Sequence, residues 1–206
     1  MFGSATPVQS VQPEGPYALL GWSLGGLIAF AMARQLTAAG ETVDPLVLLD
    51  TWGRDRPEDA ELPADADVLL GALEGRLTLA HEELAAVPPE DRFAWVLGRA
   101  RDAGALPPDF GLEDAERYLA TYKANARASQ AWRPGPWPGR ALLFRSADDL
   151  EADGDETRGW DAWVEGGLTV IRTPGTHRTM IDPPQVEVIA ERLRTPLRQP
   201  LVRQAT

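Results

Sequence analysis

Tyr17-Ala18-Leu19-Leu20-Gly21-Trp22-Ser23-Leu24-Gly25-Gly26, residues 17–26, carries the plan of the whole chain. A short apolar run ends at a glycine, a serine follows two positions later, and an apolar pattern at helical spacing continues over 24–39. Strand, tight turn and helix in that order make a nucleophile elbow, with Ser23 held at the tip of the turn. The serine backbone is strained there. Side chains two residues before and two after would collide with it, which accounts for Gly21 and Gly25. The turn also aims the Leu24 amide at whatever Ser23 attacks, and the positive end of the following helix reinforces it.

Three further runs read as strands beside 17–20: LVLLD at 46–50, ALLFR at 141–145 and LTVIR at 168–172. Each is short and nearly continuously apolar, as parallel strands buried on both faces are. The helix after the elbow stops at Gly40, a natural left-handed cap. Pro183-Pro184 opens a last helix with Val186, Ile189, Ala190 and Leu193 on one face, and 198–206 reads as a frayed tail. Strands alternating with helices predict an α/β, doubly wound parallel sheet in one domain.

Residues 53–138 interrupt that alternation. The stretch opens with a charged, proline-bearing loop, then reads as helices over 66–74, 79–86, from Pro88-Pro89 to a stop at Gly104, and 112–130. It is too long for a connection and too short for an independent domain. Departing from the carboxyl end of a strand, it is expected to be a helical lid over the site; a structural decoration is the other reading.

Composition removes several classes of function. A chain of 206 residues, 44% hydrophobic, supports one sizeable core. There is no cysteine, so thiolate chemistry and disulfides are out, and the two histidines, His81 and His177, cannot build a metal site alone. The net charge of −11 argues against nucleic acid. No run has the length of a membrane span, and residues 1–16 lack a signal-peptide pattern, so a cytoplasmic domain is expected.

A serine nucleophile needs a base and an orienting acid. His177, in the loop Thr173-Pro174-Gly175-Thr176-His177 after the fourth strand, is the credible base. His81, beside Glu82 and Glu83 at a helix start, needs no role. Two acids preserve the order serine, aspartate, histidine: Asp50 at the end of the second strand, and Asp148, next to Asp149, after the third. Position alone does not separate them.

GPYALLGWSLGGLIAFAMARQLTAAGETVDPLVLLDTW, continued through LPPDF and WRPGPWPGRALLFRS to TPGTHRTMI, resembles the chain-releasing thioesterase domains at the C-terminus of non-ribosomal peptide synthetases, and more distantly those of polyketide synthases. The resemblance spans residues 12–195. It implies an α/β-hydrolase fold with a lid matching 53–138, Asp50 as the acid, His177 as the base and the Leu24 amide as an oxyanion donor. Trp22 favours the peptide-synthetase branch; Trp22, Trp52, Trp95 and Trp132 are candidate contacts for the acyl chain. The implied reaction moves an acyl or peptidyl chain from the phosphopantetheine arm of a carrier domain to Ser23, then to water or an internal nucleophile. No cofactor of its own and no metal are implied.

The departure is upstream. Only 22 residues precede Ser23, too few for the early strands and the loop that supplies the second oxyanion donor in complete hydrolases of this type. The expectation is the carboxyl-terminal part of the sheet, with an open edge on strand 17–20 and an N-terminal part of the same domain elsewhere. Two alternatives remain open: an editing-type or general esterase using Asp148, and a fold that does no chemistry.

Overall fold

The computed structural model describes residues 7–53 and 61–198; the loop expected after residue 53 and the tail expected at 198–206 fall mostly outside them. Its strands are β1 (Tyr17–Trp22), β2 (Val43–Leu49), β3 (Ala141–Ser146) and β4 (Leu168–Thr173). Its helices are α1 (Leu24–Ala38), α2 (Asp65–Ala72), α3 (His81–Ala85), α4 (Arg92–Asp102), α5 (Leu112–Ala131), α6 (Ala147–Asp153) and α7 (Gln185–Arg198). The chain divides into two compact units, residues 1–55 with 133–206, and residues 56–132.

In the first unit the four strands form one parallel sheet in the order β1-β2-β3-β4. Register aligns Trp22 with Leu49, Leu49 with Phe144 and Phe144 with Ile171. The residues one step beyond, Ser23, Asp50 and Arg145, therefore reach the carboxyl edge together. Helix α1 buries Ala29, Phe30, Ala33 and Leu36 and packs on β1 and β2. Val47, Leu49 and Phe144 meet Met180, Ile189 and Leu193, so the apolar face read for the last helix is the face α7 buries. Two tryptophans that the sequence did not single out are fully buried around Phe30. Trp160 lies 4.7 Å from the Phe30 ring and Trp137 6.0 Å, between ring centroids. Each satisfies its indole N–H, Trp160 on the Thr51 carbonyl at 2.8 Å and Trp137 on Thr37 Oγ1 at 3.0 Å.

Among the described residues β1 pairs with β2 alone. Leu20 and Ile28 are 53% and 54% exposed, an apolar surface beside that edge.

The second unit is wholly helical among the described residues, around Ala66, Leu69, Leu73, Val96, Leu97, Ala100 and Ala115. The helix predicted from Pro88-Pro89 instead begins at Arg92. Pro88 to Asp91 form a turn closed by the Asp91 N–H on the Pro88 carbonyl at 2.9 Å. It ends before Gly104, which takes a left-handed φ of 66°. Helix α5 starts where Asp114 Oδ2 accepts the Gly111 N–H at 2.9 Å, one half of a capping arrangement. Helix α6 was not anticipated from the sequence.

Candidate active site

Ser23 sits between β1 and α1 with φ 54° and ψ −123°, a backbone state that costs roughly 1–3 kcal/mol in a non-glycine residue. Neighbours over-determine it. The Ser23 N–H donates to the Leu49 carbonyl at 3.0 Å, and its carbonyl accepts the Gly26 N–H and the Thr51 hydroxyl, both at 3.0 Å. A Cβ on Gly21 would stand 2.1 Å from the Gly25 carbonyl oxygen, so strand and helix can meet this closely only with glycine at 21. Gly25 departs from the expected crowding: among the described residues beyond its own helix, a Cβ there meets nothing within 4 Å. Gly26 is the crowded position instead, since its Cβ would fall 2.0 Å from Thr51 Oγ1. Leu24 opens α1, where the first N–H groups of a helix lack intrahelical partners.

Asp50 follows β2 with φ 49° and is fully buried. Its Oδ1 accepts the Ser146 N–H at 3.1 Å and pairs with the buried Arg145 guanidinium. Its Oδ2 faces Arg158 Nη2 at 3.0 Å, Ser146 Oγ at 3.0 Å and His177 Nδ1 at 2.8 Å. Burial by itself pushes this carboxyl up. The bond from His177, the charge of Arg158, the Ser146 N–H and Arg145 outweigh burial and hold it below the usual carboxylate range, at about 2. An ionised Asp50 can only accept, so His177 Nδ1 is the donor in this contact.

The loop before α7 brings His177 to this carboxylate, and Trp22, next to Ser23, reaches it from β1. The Trp22 and His177 rings stack at 5.1 Å between centroids and 26° between planes. Among the described residues the Ser23 hydroxyl makes no hydrogen bond.

Ser23, Asp50 and His177 are thus gathered at one sheet edge, whereas Asp148 is exposed in the first turn of α6. Of the tryptophans proposed as acyl contacts, Trp22 lies on His177, and Trp52 lies under the Arg158 guanidinium at 4.1 Å from its ring. Trp95 packs on the core of the helical unit, and half-buried Trp132 ends α5. Arg145, Ser146, Asp149 and Arg158 were missed by sequence reasoning. The one available signal was Arg145, a charge inside the apolar run ALLFR.

Comparison with known proteins gives the family. The profile described as "Thioesterase domain" matches residues 4–197. The chain belongs to the thioesterase domain family. This thioesterase domain is 30% identical over 200 residues to "Dimodular nonribosomal peptide synthase" of Bacillus subtilis (strain 168), covering 93% of the chain and 8% of that protein. It is 29% identical over 199 residues to "Enterobactin synthase component F" of Escherichia coli (strain K12), covering 90% of the chain and 13% of that protein. The thioesterase domain therefore spans only a small part of these relatives. Among solved structures it resembles a holo four-domain nonribosomal peptide synthetase bound to AMP and glycine, with TM-score 0.76 and 34% identity, over 94% of this chain and 15% of that one. It also resembles the NocB thioesterase domain in covalent complex with a fluorophosphonate nocardicin G analog, with TM-score 0.61 and 26% identity, over 92% and 70% of the two chains. The parallel sheet flanked by helices is the α/β-hydrolase architecture of these thioesterase domains. Among the described residues no helix is long and apolar enough to cross a membrane, and no group of three or more possible metal ligands occurs.

Proposed function

We propose that this domain releases an acyl or peptidyl chain from the phosphopantetheine thioester of a carrier domain, through an ester on Ser23. The observation that carries the reading is the 2.8 Å contact between His177 Nδ1 and buried Asp50 Oδ2, beside a serine on a strained elbow. In the first step Ser23 Oγ attacks the thioester carbonyl carbon while its proton passes to His177 Nε2. Asp50 stays ionised and steadies the imidazolium. The Leu24 N–H faces the oxygen on which negative charge develops. The intermediate collapses with cleavage of the C–S bond, and His177 returns the proton to the departing thiolate. Water, or a nucleophile on the chain itself, then attacks the Ser23 ester and gives its proton to His177, which passes it to Ser23 Oγ as the ester C–O bond breaks. The phosphopantetheine arm is part of the substrate, and no resident cofactor takes part.

Two supports are independent of the geometry. The relatives are large synthetases of which this chain matches a small part, consistent with a carrier domain as donor, and the NocB thioesterase domain forms a covalent complex with a fluorophosphonate.

The test is labelling by a fluorophosphonate together with turnover of an acyl-pantetheine thioester. Both activities are expected in the wild type and absent in Ser23→Ala. Labelling that survives Ser23→Ala would overturn the assignment.

A further inference from the structure

His177 is held by its main chain as well as by its ring. Its N–H donates to Asp149 Oδ2 at 2.7 Å, and its carbonyl accepts the Trp22 indole N–H at 2.9 Å. The grip matters because the loop carrying His177 is irregular, with Gly175 at φ 92°, and is braced internally by short local bonds such as Thr176 N–H to Thr179 Oγ1 at 2.9 Å.

Asp149 is itself wired to the group that holds the ring. Ser146 Oγ lies 2.6 Å from Asp149 Oδ2 and 3.0 Å from Asp50 Oδ2. A serine hydroxyl has one proton to give. Asp50 Oδ2 already receives Arg158 and His177, so the shorter contact takes that proton. Arg158 Nη2, bonded to Asp50, also stands 3.9 Å from Asp149 Oδ2.

The geometry points to Asp149 as a second positioning carboxylate: Asp50 orients the imidazole, and Asp149 fixes where its backbone stands, with Trp22 closing the grip from the residue beside the nucleophile. Asp149 touches neither Ser23 nor the substrate in this scheme and acts through His177. The inference rests on the reading of His177 as the base for Ser23. It is separate from the identity of the ring's acid partner.

The test compares Asp149→Ala, Asp149→Asn and Asp148→Ala in the full chain by fluorophosphonate labelling rate and by hydrogen exchange at the His177 amide. A misplacement near 1 Å can cost about 10²-fold, so Asp149→Ala is expected to label roughly 10- to 100-fold more slowly. Its His177 amide should exchange faster than in the wild type. Asp149→Asn keeps a carbonyl oxygen for the His177 N–H and should restore both to within about threefold, an outcome that general destabilisation would not give. Exposed Asp148 is the control and should change neither. If Asp149→Ala fails to fold, Asp149→Asn and Trp22→Phe decide. Trp22→Phe removes the indole N–H while keeping a ring on the imidazole, and is expected to slow labelling by about 3- to 10-fold. Wild-type rates and amide exchange in Asp149→Ala, or an Asp149→Asn as slow as the alanine variant, would overturn the proposal. So would a Trp22→Phe that labels at the wild-type rate. If the wild type itself is not labelled, the thioesterase reading fails; the amide exchange still decides whether Asp149 holds His177.

Discussion

Replacing Asp50 by asparagine should separate chemistry from folding more sharply than any other change. The carboxylate holds His177 Nδ1 at 2.8 Å and sits between the buried Arg145 and Arg158. An amide can still accept the Ser146 N–H and one guanidinium on its oxygen. Its nitrogen, turned to His177, would donate to Nδ1. The ring would then carry its proton on Nε2 and could not accept one from Ser23. In a serine protease the same change leaves the geometry intact and lowers turnover by about 10⁴, which sets the scale expected here, roughly 10³–10⁴. The variant also leaves two buried guanidinium groups without a full countercharge. Removing one partner of a buried pair costs about 3–5 kcal/mol, reduced here by the acceptor that asparagine keeps. Rate is read by fluorophosphonate labelling and acyl-pantetheine turnover, and folding by thermal melting. A folded Asp50→Asn within tenfold of wild type would refute the reasoning, and a comparable loss in Asp148→Asn would move the acid to α6.

Other outcomes follow from the same geometry. Asp50 is held at about 2, below its unfolded value, so its contribution to stability is present above about pH 4 and is lost as pH falls toward 2; the shift corresponds to about 2 kcal/mol, and Asp50→Asn should flatten that part of an acid-unfolding curve. Gly21→Ala drives a Cβ to 2.1 Å from the Gly25 carbonyl and should cost at least about 1–3 kcal/mol along with most labelling. Gly25→Ala meets nothing within 4 Å and should not lower the melting temperature, since alanine is favoured over glycine in a helix by about 1 kcal/mol. Trp160→Ala empties a fully buried site under Phe30 and should cost about 3–5 kcal/mol by denaturant titration.

The sheet was legible because each strand is a short apolar run bounded by a turn or a helix signal, and period and length suffice for that. The elbow was legible for the same reason, though the steric account of Gly25 failed: Gly26 is the glycine pressed against Thr51, which belongs to the next strand's loop and cannot be inferred from the motif. Position left Asp50 and Asp148 equal. In the structure β2 brings Asp50 to the carboxyl edge next to the Trp22–Leu49 pair, whereas Asp148 is exposed on α6, and that difference is one of register, which position in the sequence does not reveal. Helix α6 was hidden because its seven residues are mostly polar, and its would-be cap, Ser146, spends its hydroxyl on carboxylates. Arg158 and Asp149 were unreadable for a different reason. Their importance lies in contacts across many residues of chain, and local sequence around them looks like any polar loop.

Trapping the acylated protein tests the central claim most directly. The chain is mixed with an acyl-pantetheine thioester, quenched in acid before release is complete, and mapped by peptide mass spectrometry. The account predicts one acyl group on the peptide containing Ser23, absent in Ser23→Ala, with the free thiol released in equal amount. Thiol released at the wild-type rate by Ser23→Ala, or an acyl group carried on any other residue, would contradict it.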